Sequence, residues 1–272
     1  MRKSLILSLL LSALTLGNVS FASTPIGSYS NGCIKDSQAL NLKHPYYQVL
    51  RTQTRRFYAD KTMINFIDRL TTKTHEQNLP ILLIGDTSLK YGGRFQHSNH
   101  ASHQMGLDVD IWFKMVNKPL TQKELKSPTA ISVVAPNFLE VNKNYTPQIY
   151  TLIKTAALDT EVDRIFVNPA IKERLCLDAP ENDRMWLHKV RPWWGHNAHM
   201  HVRLKCPEGN SLCQTQAPIP SSGDGCGMEV TSWLDEIRFP KPKKPGAKVK
   251  PKKLPDPPIE CVELFKAHKV KK

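Results

Sequence analysis

Several common hydrolase signatures are missing from this 272-residue chain. Its one His-Glu pair, in HEQNL at 75–79, lacks the second histidine of the HExxH zinc motif. There is no SxxK and no GxSxG, so a serine acyl-enzyme has no support. GGRF at 92–95 reads as a turn, and no phosphate-cradling glycine loop is present. The absence of any CxxC pair argues against a zinc ribbon. No apolar run reaches the roughly 20 residues that a helix needs to cross a bilayer.

Arg2 and Lys3 precede an apolar run from Leu5 to Leu16, with Ser20 and Ala22 at the positions that a leader peptidase reads. Residues 1–22 are therefore expected to be a secretory signal peptide, cut after about Ala22, with no membrane span left in the mature chain. Six cysteines follow: Cys33, Cys176, Cys206, Cys213, Cys226 and Cys261. An even count in an exported chain predicts a disulfide framework. Spacing alone leaves the pairing open. Only Cys206 and Cys213 are local, and Cys33 with Cys261 could tie the two ends together.

The formal charge is +14. From Pro240 onward eleven lysines face only Asp256, Glu260 and Glu263, so most of the excess sits in this tail and not on the body. That weakens the case for a basic nucleic-acid groove, and no nucleic-acid partner is expected. PKPKKPGAKVKPKKLPDPP lacks a packable face. It predicts an extended Pro/Lys-rich tail over 239–272, pinned back at Cys261.

Between signal and tail, 23–238 reads as one α+β domain. Met63, Ile64, Phe66, Ile67 and Leu70 fall near helical spacing over 62–78, and 146–160 and 170–176 also read as helices. PILLIGD (80–86) and DRIFVNP (163–169) read as strands, and the turn-rich 90–100 as a loop. LDVDIWF (107–113) and AHMHVRL (198–204) alternate with period two, the mark of half-buried strands.

Those two strands carry the chemistry. HASHQMGLDVDIW (100–112) crowds His100, His103, Asp108 and Asp110 together, and Asp108 and Asp110 share the polar strand face. His199, His201 and Arg203 share the corresponding face of the second strand. Were the strands neighbours, imidazoles and carboxylates would form one cluster suited to Zn²⁺, and three protein ligands would leave a fourth position open. Asp108 could instead orient a ligand histidine. His75 and His97 read as solvated. Trp193 and Trp194 either wall a groove or pack the core.

The spacing His103-x6-Asp110 with Gly106 between, then His199-x-His201, resembles the fold group of lysostaphin-type enzymes, D-alanyl-D-alanine metallopeptidases and the hedgehog signalling domain. GSYSNGCI (27–34), RIFVNPAIK (164–172), KVRPWWGHNAHMHVRL (189–204) and PSSGDGCG (220–227) narrow the resemblance to the penicillin-insensitive murein endopeptidase family. The resemblance implies a periplasmic zinc metallopeptidase acting on peptidoglycan, at the amide between D-alanine and the side-chain amine of meso-diaminopimelate. It implies an α+β domain with a central antiparallel sheet carrying the zinc site, flanked by helices and long loops. His103, Asp110 and His201 match the zinc ligands and His100 a further histidine at the metal. His196 and His199 match active-site histidines. His196 is assigned the general base and His199 the donor to the oxyanion, an assignment that could be reversed. The implied disulfides are Cys33–Cys261, Cys176–Cys226 and Cys206–Cys213. Some relatives add an aspartate and a histidine for a second metal, but VVAPNFLEVNKNY has neither, so none is expected. A D,D-carboxypeptidase and a non-catalytic zinc-stabilised wall-binding module are the rival readings.

Overall fold

A computed structural model of the chain describes residues 23–220, 222–241 and 254–270. The expected signal peptide (1–22) and the lysine-rich stretch 242–253 lie outside the described residues. The chain opens with a hairpin of β1 (Thr24–Ser28) and β2 (Asn31–Lys35). Next come β3 (Gln38–Ala39), β4 (Tyr47–Val49) and β5 (Tyr58–Ala59), with β3 paired to β5. The Asp60 carboxylate then caps α1 (Lys61–Glu76), accepting from the Thr62 amide at 2.8 Å. Met63, Phe66, Ile67 and Leu70 form the buried stripe of α1, as their spacing predicts.

β6 (Leu82–Ile84), β7 (Asp108–Trp112), α2 (Gln122–Lys126) and α3 (Pro147–Ala157) follow. Pro147 starts α3, where its missing N–H has no helical acceptor to lose. The remainder is β8 (Val162–Val167), α4 (Pro169–Asp178), β9 (Val190–Pro192), β10 (His199–Leu204), α5 (Met228–Arg238) and α6 (Ile259–Ala267). Among the described residues no helix is long and apolar enough to cross a membrane.

The central sheet has the order β4-β6-β7-β10-β8-β9. It is mixed, which corrects the antiparallel sheet expected from the sequence. β6, β7, β10 and β8 run antiparallel, but β4 lies parallel to β6 and β9 parallel to β8. The reason is connectivity. Parallel neighbours require a crossover, and α1 and α4 supply them. One sheet face, with Val109, Ile111, Ile165, Met200 and Val202, joins the apolar sides of α1 and α3 in the main core. The opposite face bears Asp108, Asp110, His199, His201 and Arg203.

All three disulfides that the resemblance implied are present, with Cα–Cα distances of 5.6 Å (Cys33–Cys261), 5.9 Å (Cys176–Cys226) and 5.7 Å (Cys206–Cys213). The first ties α6 to β2, so the described end of the 239–272 segment is helical and packs on the hairpin.

Candidate active site

β7 and β10 are direct neighbours, with His201 opposite Asp110 and Arg203 opposite Asp108. The register places both ligand-type pairs on one face. That face was expected to be the exposed side of half-buried strands. Instead Asp108, Asp110, His201 and Arg203 are buried, because the 95–104 loop and Tyr29 cover it.

His103 is wholly buried, just before β7. Its backbone is left-handed (φ 67°) and its amide donates to Asp108 Oδ2 at 3.0 Å. Three residues later Gly106 also has positive φ (75°). A Cβ there would lie 2.8 Å from the Asp60 amide nitrogen, so glycine is needed where the loop turns into the strand. His103 Nδ1 lies 2.9 Å from the Thr87 carbonyl. Donation to that carbonyl leaves Nε2 as a lone pair, which is buried without a hydrogen-bond partner and faces Asp110 Oδ1 at 3.3 Å. A lone pair opposite a carboxylate oxygen is repulsive unless a cation stands between them.

His201 repeats the pattern. Its Nε2 is 2.9 Å from Asp108 Oδ1, leaving Nδ1 directed at Asp110 Oδ1 at 3.1 Å. Arg203 Nε donates to Asp108 Oδ1 at 2.8 Å, fixing that carboxylate from behind. Burial alone would lower the His201 pKa, but Asp108 and Asp110 outweigh it and raise it to about 9. A metal cation competes for the position that this proton would take.

His100 sits at the rim, with Nδ1 3.7 Å from Asp110 Oδ2 and Nε2 3.7 Å from Asp86 Oδ2. Burial lowers its pKa. Donor atoms of His100, His103 and Asp110 all lie within 4.8 Å of one another, a set able to hold a metal ion. The unsatisfied His103 Nε2, beside nitrogen and carboxylate donors, fits a metal cation.

His196 and His199 flank this cluster, with ring centroids 5.1 Å apart and that of His196 5.9 Å from His201. His196 Nδ1 lies 2.9 Å from the Trp194 carbonyl, which fixes the proton there and leaves Nε2 as an acceptor. Burial, then the neighbouring His201 and His199, push its pKa down to about 3. Burial also lowers that of His199, whose Nε2 lies 3.7 Å from Asp110 Oδ1. Both rings are therefore neutral near pH 7. Trp193 (50 % exposed) and Trp194 (45 %) do not pack the core; they meet Trp233 of α5 beside His196.

Sequence reasoning missed Asp86, buried and shared by Arg51 and Arg56 at 3.3 and 3.2 Å. At the end of an apolar strand before a turn-rich loop, it read as a boundary. The Thr87 carbonyl carries no side-chain signal at all. Arg203 was visible, since it alternates with His199 and His201.

A sequence profile of the penicillin-insensitive murein endopeptidases matches residues 25–266. A protein of that name from Klebsiella pneumoniae is 49% identical, the match covering 89% of this chain and 86% of the relative. One from Pectobacterium atrosepticum is 44% identical over 97% of this chain and 96% of the relative. One from Escherichia coli K12 is 46% identical over 89% and 86%.

Proposed function

The chain belongs to the penicillin-insensitive murein endopeptidase family, and we propose that it is a zinc-dependent periplasmic enzyme hydrolysing the D-alanyl–meso-diaminopimelyl cross-links of peptidoglycan. The observation that carries the zinc reading is that His103 Nε2 and His201 Nδ1 both face Asp110 Oδ1, at 3.3 and 3.1 Å, with the first lacking any hydrogen-bond partner. These three residues would hold the metal, and His100 would stand at its open side. A bound zinc supplies Lewis acidity toward the scissile carbonyl and lowers the pKa of a water. Asp108 and the Thr87 carbonyl hold the two ligand imidazoles in the tautomers that ligation needs.

His196 acts as the general base. Its Nε2 is the free acceptor on a neutral ring and takes the proton of the water that attacks the scissile carbonyl. His199 donates an N–H to the oxygen that gains charge in the transition state, a contribution of about 3 kcal/mol for such a donor. The His196 proton then passes to the departing amine, which leaves as a free amino group. Disulfides at all six cysteines suit the oxidising periplasm.

Digestion of purified murein, with and without a chelator, tests this reading. An endopeptidase converts cross-linked dimers to monomers, phenanthroline stops it and β-lactams do not. Release of free D-alanine alone would make the chain a D,D-carboxypeptidase. Murein binding without any turnover would make it a wall-binding module.

A further inference from the structure

A groove of about 1200 Å³ runs beside the histidine cluster, between the 92–99 loop and the C-terminal segment 254–257 with Phe265 and Val270. It shares a wall with the cluster. Phe95 lines the groove, and its ring centroid lies 5.6 Å from that of His103 and 5.8 Å from that of His100. The opposite wall is anchored. Asn31 Nδ2 donates to the Asp256 carbonyl at 2.9 Å, Cys261 is bonded to Cys33, and a Cβ on Gly93 would lie 2.9 Å from the Phe265 ring.

The charge across the groove is uneven. On the loop side the lining carries two guanidinium groups, Arg56, which pairs with Asp86 at 3.2 Å, and Arg94. Arg56 lies over Phe95, 4.2 Å from the ring centroid, at the shared wall. Arg94 is exposed in the lining and has no acidic partner among the described residues. Among the described residues, the only acidic residue of the lining is Asp256, on the far wall. A guanidinium on the loop side offers paired donors to a carboxylate, and Asp256 offers an acceptor to an amine across from it.

We propose that this groove is a substrate subsite that binds a stem peptide through a free carboxylate, with Arg94 as the specificity-determining contact. The inference rests on the murein-peptide reading above and names which part of the substrate is gripped outside the reacting centre. Arg94 stands at the groove and not among the metal donors, so it governs binding and leaves the chemical step to the histidines.

The test uses the full mature chain with zinc and two versions of the disaccharide-tetrapeptide monomer, one native and one with its carboxylates converted to primary amides. The monomer lacks the scissile cross-link, so calorimetric titration reads binding without turnover. Loss of one charge-assisted contact should raise the Kd of Arg94→Gln for the native monomer about tenfold. For the amidated monomer, Arg94→Gln and the parent should bind alike. On the cross-linked dimer, the same variant should raise KM by a similar factor with kcat nearly unchanged. An equal loss for both monomers, or no loss for either, overturns the proposal, and a main effect on kcat does so too. If the chain cleaves no murein but Arg94→Gln still separates native from amidated monomer, the reaction assigned above fails and the groove stands. If it cleaves but does not discriminate, the reverse holds.

Discussion

Asp108 and His201 meet at 2.9 Å within the sheet, and Arg203 closes on the same Asp108 oxygen at 2.8 Å. The donor nitrogen of His201 is thus aimed from two residues away. Removing a partner of this kind typically weakens metal affinity about 10–100-fold. Asp108→Asn should therefore raise the zinc Kd by that factor in chelator competition while circular dichroism stays native. An unchanged Kd would mean that the His201 ring is held by packing alone.

His103→Ala, Asp110→Ala and His201→Ala should each leave the dialysed protein depleted of zinc, as read by atomic emission. His100→Ala should have a weaker effect, because His100 stands 3.7 Å from Asp110 at the rim while His103 is enclosed. Full metal retention in any of the first three removes that residue from the ligand set.

Lys172 predicts a pH dependence of stability. Its Nζ is buried and donates to the carbonyls of Leu187 (2.7 Å) and Asp224 (2.9 Å). Burial, reinforced by Arg191, lowers its pKa from 10.5 to about 7. Between those values the unfolded chain binds a proton that the folded chain does not, so stability rises with pH through that window. Below about pH 7 both states carry the proton and the full cost of burying it is present. The rise for one proton is about 1.4 kcal/mol per pH unit. Urea unfolding of Lys172→Met should lack this contribution; a slope identical to the parent's between pH 7.5 and 9.5 would refute it.

Thiol labelling of the denatured, unreduced protein should give no signal, since every cysteine is bonded. Cys33→Ser should lower stability by about 2–5 kcal/mol in urea titration and expose the 254–258 segment to protease, because the bond clamps α6 to β2. Protease resistance equal to the parent's would show that packing of Phe265 suffices.

The helices α1 and α3 and the strands β7 and β10 were legible because each repeats its apolar residues at a fixed period. The neighbouring register of β7 and β10 was only a conditional inference, since alternation shows a shared face but not which strand lies beside which. The short β4 and β9 gave no signal of their own, since three residues are too few to show a period. α5 has only Val230 and Leu234 buried, one turn apart, too thin a stripe to read. The burial of Asp108 and Arg203 comes from loops that fold over the sheet, and no local pattern records it.

The Cys33–Cys261 bond has a temporal consequence. Synthesis runs from the N-terminus, so Cys33 is made 228 residues before its partner. Every histidine and aspartate of the cluster has been made by the end of β10, yet the far wall of the adjoining groove arrives only with the segment around α6. A nascent or C-terminally clipped chain would thus carry the histidine cluster before the groove beside it had its second wall, and on the proposed reading it would hold the reacting groups without the grip.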